Sequence, residues 1–135
     1  MEISFCKLLS TNVQRDDIKI FDFGLAKELT EKLRNTDGTY NLTEMTGSPR
    51  YMAPEVLLGS SMGLESDVFS FGIVLYELAS LQKPFDSYFK GGKLVRRPAF
   101  FDRVVQGGWR PSMTDIPCRA TRRLIQKCWD RSPRN

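Results

Sequence analysis

A mostly helical fold with one short pair of strands is the class this sequence predicts, on three observations. The stretch from Ser66 to Ser80, SDVFSFGIVLYELAS, is apolar on nearly every face, the mark of a helix enclosed by protein. Two more segments, Pro98 to Gln106 and Pro117 to Trp129, are bounded by residues that start and stop helices. The clearest alternation of polar and apolar residues is Asp17-Ile18-Lys19-Ile20-Phe21-Asp22, which reads as a strand.

Taken in order, Phe5 to Leu9 can pair with that strand across the polar turn Asn12 to Asp16, giving a hairpin that ends at Asp22. From Leu25 to Pro49 the chain is rich in Thr, Glu, Lys and Asn, has no sustained period, and carries Asp37-Gly38 as a turn signal. A loop of that length inside a compact domain points to function or disorder. Pro54 to Gly59 has proline where a helix starts and glycine where it stops, so a short helix is expected there. The central helix over 66–80 takes Ser66 or Asp67 as its cap, because a short side-chain oxygen there can satisfy a free backbone amide. Buried on all sides, it needs neighbours on every face. The helix over 98–106 stops at Gly107-Gly108, and the one over 117–129 aligns Ala120, Leu124, Ile125, Cys128 and Trp129 along one stripe.

With 135 residues and 41% hydrophobic content, the chain can bury one core and no more. No apolar run reaches membrane-spanning length and the start lacks the basic region of a secretory signal, so no membrane role and a cytoplasmic or nuclear location are expected. Cys6, Cys118 and Cys128 show no paired spacing, which fits plain thiols in a reducing compartment. Histidine is absent, which excludes imidazole catalysis and histidine metal sites. Residues 1–89 carry 8 basic and 13 acidic side chains, and residues 90–135 carry 12 and 3. The halves are therefore −5 and +9. Without a reading motif or interleaved aromatics, the basic half is expected to be a solvated face, with no nucleic-acid partner.

Asp22-Phe23-Gly24 follows directly on the strand. A carboxylate at a strand end, an apolar anchor and a flexible glycine suit a metal-binding switch. Thirty residues beyond Phe23 begins Ala53-Pro54-Glu55, preceded by Gly47-Ser48-Pro49-Arg50-Tyr51-Met52. Then come Ser66-Asp67-Val68-Phe69-Ser70-Phe71-Gly72 and Cys128-Trp129-Asp130. In this order the motifs resemble those of the eukaryotic protein kinase domain, in which D-F-G and A-P-E bracket the activation segment. The resemblance covers nearly the whole chain from about Ile18 onward. The loop from Gly47 is similar to that of serine/threonine kinases, while Asp67 to Gly72 and Cys128-Trp129 resemble the tyrosine-kinase-like group.

The resemblance implies a partial kinase C-terminal lobe over 1–135, with the magnesium loop at 22–24 and the activation segment at 22–55. It implies ATP and Mg2+ as cofactors, Asp22 as metal ligand, and Phe23 and Gly24 beside it. Gly47, Ser48, Tyr51, Ala53, Pro54 and Glu55 would shape the site for a protein substrate. Asp67 would accept hydrogen bonds from a catalytic-loop backbone, or serve only as a helix cap. Trp129 reads as a core aromatic. Thr39, Thr43 and Thr46 are candidate phosphorylation sites, since phosphate on that loop orders it through basic partners, and Glu44 could supply part of that charge permanently.

Phosphoryl transfer also needs a glycine-rich lid, a strand lysine paired with a helix glutamate, a catalytic aspartate and a second metal ligand. The 135 residues hold no G-x-G-x-x-G, no V-A-I-K and no His-Arg-Asp. The second ligand should be an asparagine shortly before Asp22, yet Leu9 or Cys6 stands there, and Asn12 fits only with a shortened hairpin. The family's arginine partner for Glu55 would follow Cys128-Trp129 just past Arg134-Asn135. A Glu55 without it is expected to be a costly unpaired carboxylate, and the apolar helix from Asp67 to Ala79, without the upstream helices it would pack on, is expected to leave an exposed hydrophobic patch. Two functions follow: a serine/threonine kinase whose C-lobe portion is inactive alone, or a non-catalytic, kinase-derived module that binds a protein partner through its basic helices.

Overall fold

The computed structural model describes residues 7–10, 18–21, 23–40 and 47–130, the first two stretches by their backbone. Strands β1 (Lys7–Ser10) and β2 (Ile18–Phe21) pair antiparallel, with Lys7 opposite Phe21 and Ser10 opposite Ile18. The expected pair of strands is present, the first reaching Ser10; Phe5, Cys6 and the Asn12 to Asp16 turn lie outside the described residues.

The polar stretch after β2 holds more order than its composition suggests. Phe23–Leu25 and Glu31–Leu33 are single 3-10 turns. The Asp37-Gly38 signal closes a tight turn, in which Asn35 N–H donates to the Thr39 carbonyl over 2.7 Å and Gly38 has φ +82°. Tyr40 then exchanges two backbone hydrogen bonds with Met62, of 2.7 and 3.1 Å, fastening this part of the loop to the segment before the central helix.

Helix α1 (Pro54–Leu57) has Pro54 in its first turn, and Gly59 just past its end adopts φ +68°, as the proline and glycine signals require. Helix α2 (Glu65–Ser80) starts one residue before the expected 66. Its N-cap is Leu64, which makes no side-chain cap bond, so neither Ser66 nor Asp67 caps it. The turn Gly63-Leu64 supplies the first carbonyls instead, receiving Ser66 N–H at 3.2 Å and Asp67 N–H at 3.2 Å. Asp67 thus lies inside the first turn, where its charge complements the helix dipole.

Burial of α2 is one-sided, and the exposed apolar patch expected where its neighbouring helices are missing is present. Phe69, Gly72, Ile73 and Tyr76 face the core, but Leu64, Val68, Phe71 and Leu78 on the far side are 61, 46, 46 and 58% exposed. The buried face packs on helix α4 (Arg119–Cys128) at very short range. A Cβ added at Gly72 would lie 2.6 Å from Cys128 Cβ and 3.0 Å from Trp129 Cδ1. Only hydrogen fits there. Along α4 the expected stripe narrows: Ile125 and Cys128, with Trp129 just beyond, are buried, whereas Ala120 and Leu124 are exposed, because α4 touches the core on one edge only.

Between α2 and α4 the chain forms a two-residue-strand hairpin, β3 (Phe89–Lys90) and β4 (Lys93–Leu94), and then helix α3 (Arg97–Phe100). The expected helix over 98–106 is present but changes character. From Phe101 to Gln106 it widens to a π-helix, closing with Gly107 N–H on the Asp102 carbonyl at 2.8 Å. Phe100 is the hub of the core here, meeting Phe85, Tyr88 and Phe89 edge-on at 5.6, 5.5 and 5.7 Å. Met52, Ala53, Leu57, Val104 and Ile116 complete the core. Cys128 is buried and Cys118 exposed, both as free thiols. Among the described residues no helix is long and apolar enough to cross a membrane.

Candidate functional site: the Gly47–Glu55 loop

The loop from Gly47 to Glu55 is held from two sides, and the residues that hold it are its own. Gly47 adopts φ +113°, a region open to glycine and strained for other residues, and Tyr51 N–H returns to the Ser48 carbonyl at 3.1 Å to close the first turn. Met52 and Ala53 are 6 and 1% exposed and anchor the loop in the core. Pro54 then directs the chain into α1.

On one side stands Arg50, a buried charge at 6% exposure. Its guanidinium donates to the Pro84 carbonyl and to Asp86 Oδ1, the latter at 3.1 Å, and lies 4.2 Å over the Phe89 ring. A buried cation needs such compensation, since desolvation alone would expel it. Phe85, between those two acceptors, sits at φ +59°, an unfavourable conformation for an aromatic residue. Edge-on packing against Phe100 at 5.6 Å and the Arg50 bonds on either side hold it there.

On the other side the neighbouring residue reaches α2. Tyr51 donates its hydroxyl hydrogen to Glu77 Oε2 over 2.7 Å. Burial, and then the carboxylate beside it, push the phenol pKa up to about 12. Glu55, at the start of α1, accepts from Ser66 Oγ at 2.8 Å. Glu55 is half-buried and hydrogen-bonded, so the expectation of a stranded buried carboxylate is corrected. The hydroxyl read as a possible cap is its partner, and Arg134 lies outside the described residues.

The remaining candidates are placed unevenly. Asp22, Thr43, Thr46 and Glu44 lie outside the described residues. Phe23 is 48% exposed and Gly24 is exposed, so Phe23 is not packed in the core as an anchor would be. Thr39 engages its hydroxyl in the local turn, bonding Asp37 Oδ1 at 2.6 Å and Asn35 Nδ2 at 2.9 Å. Asp67 is partly buried in the first turn of α2. Trp129 is 7% exposed and packs 5.7 Å from Tyr76, a core aromatic as expected. The structure therefore brings together Tyr51, Ala53, Pro54 and Glu55 on one braced platform, and it adds Arg50, which the sequence reading named only within its motif. Its signal was an arginine between proline and an aromatic in a segment otherwise bound for the core.

Among the described residues no three His, Cys, Asp or Glu side chains gather into a metal-binding group. The magnesium ligand that the resemblance assigns, Asp22, lies outside the described residues. What the described residues build here is a loop with a buried spine, Met52 and Ala53, and an edge braced by Arg50 and Tyr51.

The model of the protein kinase domain matches residues 7–135. The chain is 37% identical over 124 residues to serine/threonine-protein kinase VIK of Arabidopsis thaliana, covering 91% of this chain and 26% of that protein. It is 36% identical over 122 residues to dual specificity protein kinase shkA of Dictyostelium discoideum, covering 86 and 20%. With mitogen-activated protein kinase kinase kinase 7 of Bos taurus it shares 35% over 117 residues, covering 86 and 17%. The chain spans about a quarter or less of the length of these curated relatives. With its motifs in order and its loop braced as described, the chain belongs to the protein kinase family.

Proposed function

We propose that the chain is the substrate-binding part of a serine/threonine protein kinase of the tyrosine-kinase-like group, acting with ATP and Mg2+ on a protein hydroxyl. The observation that carries this is the two-sided bracing of the Gly47–Glu55 loop by Arg50 and Tyr51. Positioning is most of what a kinase contributes to phosphoryl transfer, because the reaction needs an aligned acceptor more than new covalent chemistry. A loop pinned to α2 and to the 84–89 turn holds a substrate segment at fixed height. Asp22 would hold the metal ion, which supplies charge neutralisation at the phosphates when bound.

The 135 residues contain no glycine-rich lid, no V-A-I-K segment and no His-Arg-Asp segment. Groups that act as a unit give little singly, so these residues by themselves do not transfer phosphate. The exposed apolar face of α2 supports the same reading, since Leu64, Phe71 and Leu78 form a surface suited to further protein. A cytoplasmic or nuclear location goes with this proposal. The alternative, a non-catalytic binding module, draws on the basic second half of the chain.

The test is phosphate transfer from magnesium-ATP by the full-length protein to a generic serine/threonine substrate, compared with Asp22→Ala. Transfer to serine or threonine that the substitution abolishes supports the reading. Nucleotide-independent partner binding with no Asp22-dependent transfer would overturn it and leave the module.

A further inference from the structure

Four of the eight residues from Lys90 to Arg97 are basic, and no acidic residue occurs between Asp86 and Asp102. The nearest of these acids in sequence, Asp86, is already bonded to Arg50. Lys90, Lys93, Arg96 and Arg97 are all exposed, and none forms an ion pair among the described residues. The hairpin sets two of them against each other. Gly91 and Gly92, at φ +55° and +78°, make a two-residue turn that places Lys90 directly opposite Lys93. Like charges directly opposite on a strand pair destabilise it, and a hairpin of two-residue strands has little else to offset that. An anion between the two lysines would relieve the repulsion.

The cations are also fixed in place relative to the substrate loop. Val95 N–H and Arg96 N–H both donate to the Tyr88 carbonyl, at 3.0 and 3.3 Å, which ties the end of the hairpin back to its start. Phe89, the first residue of β3, is the ring that carries the Arg50 guanidinium of the loop at 4.2 Å. Lys90 is the next residue. The positive surface therefore rises from the edge of the Gly47–Glu55 platform, whereas of the other exposed basic side chains among the described residues of the second half, Arg103 stacks on the Trp109 ring at 4.7 Å, and Arg119, Arg123 and Lys127 lie on or beside the solvent side of α4.

We propose that the β3–β4 hairpin and the start of α3, through Lys90, Lys93, Arg96 and Arg97, form a docking surface for an acidic segment of the protein substrate. This rests on the reading of Gly47–Glu55 as the substrate loop and adds the class of substrate that the loop would favour. A protein segment fits better than a membrane, because exposed Val95 is a single apolar side chain at 57% exposure and offers no face for insertion. It fits better than nucleic acid, because Phe89 is buried and the partly exposed Phe101 ring is already covered by the Arg97 guanidinium at 5.3 Å, which leaves no open ring among these cations for a base to stack on. Steering by a focused positive field raises the encounter rate with such a segment and weakens as salt rises.

The test is fluorescence anisotropy with the full-length protein and a labelled serine peptide rich in glutamate, against its glutamine-substituted twin. The acidic peptide is expected to bind at low salt and the twin not. Lys90→Glu/Lys93→Glu should weaken binding by about tenfold or more, and Arg119→Glu/Arg123→Glu, which changes charge equally on α4, by less than about twofold. Circular dichroism of both variants confirms that they fold. Equal binding of the two peptides, or equal losses in the two variants, would overturn the proposal. So would anionic vesicles or single-stranded DNA displacing the peptide while binding the hairpin variant less tightly, which would assign the surface to them. Because binding is read without nucleotide, the two readings separate: acidic-peptide binding at the hairpin in a protein with no Asp22-dependent transfer would keep the acidic-segment surface and remove its assignment to a kinase substrate.

Discussion

Tyr51 gives its hydroxyl hydrogen to Glu77 Oε2 across 2.7 Å, joining the middle of the Gly47–Glu55 loop to the last turns of α2. Because the phenol must stay protonated to donate, the bond ties the loop to a protonation state. The pKa of Tyr51 is pushed up to about 12, above the ordinary 10.0. In this pair the folded state keeps its proton where the unfolded chain would lose it. The stabilisation is therefore complete below pH 10 and is lost as pH rises through about 12. Tyr51→Phe should cost about 1 kcal/mol near neutral pH and flatten the fall in stability over that alkaline window. Urea melts of both proteins across the window check this; parallel slopes would show that the bond does not form.

Arg50 brings a second expectation. Arg50→Ala removes two hydrogen bonds and a ring contact from a buried position and leaves the Pro84 carbonyl without its donor, at a cost of about 3 kcal/mol. Arg50→Lys keeps the charge but not the planar, two-acceptor geometry, so it should recover less than about half of that. Asp86→Asn should cost about 1 kcal/mol, since Asp86 is 69% exposed and its partner keeps the carbonyl. Denaturant midpoints rank the three. An Asp86 variant as damaging as Arg50→Ala would mean that the ion pair, not the carbonyl bond, is what holds the loop.

Gly72 is the narrowest point between α2 and α4. Alanine in a helix is ordinarily worth about 1 kcal/mol over glycine, but here the new methyl would sit 2.6 Å from Cys128 Cβ. Overpacking of that kind costs about 1–3 kcal/mol. Gly72→Ala is therefore expected to be destabilising on balance, and adding Cys128→Ala should not rescue it, because alanine keeps the Cβ that the new methyl meets. Thermal melts of the single and double variants decide the sign; a stabilised Gly72→Ala would show that the two helices part easily.

The far face of α2 should bind a hydrophobic dye. Phe71 and Leu78 are 46 and 58% exposed, and Phe71→Ser/Leu78→Ser should reduce dye fluorescence of the 135-residue chain while changing its stability by no more than about 1 kcal/mol. A loss of several kcal/mol would instead place these side chains against another part of the chain.

The local elements were legible because each rests on interactions between residues near in sequence. Proline at the start and glycine at the end announced α1, the Asp37-Gly38 pair announced its turn, and alternation announced β2. For α2 the exposed patch followed from composition together with the missing neighbours, but which face it takes did not. The all-round apolar composition of α2 implied enclosure, but composition says only which side chains could be buried, and enclosure needs neighbours that the described residues supply on one face. The cap of α2 was misplaced for a related reason. Ser66 has the chemistry of a cap, yet the helix begins one residue before it, so Ser66 already sits in the first turn, and its hydroxyl hydrogen goes to Glu55, 11 residues earlier in the sequence.

For the site the division is similar. Sequence by itself determined the family, the limits of the Gly47–Glu55 loop and the excess of positive charge after residue 90, since motifs and composition are linear properties. Only the tertiary structure decided that Arg50 is buried against residues more than thirty positions away, that Tyr51 reaches α2, and that the charges at 90–97 stand at the loop's edge. A buried cation is stable only where the fold delivers its acceptors, and no local rule of spacing states where distant acceptors will arrive.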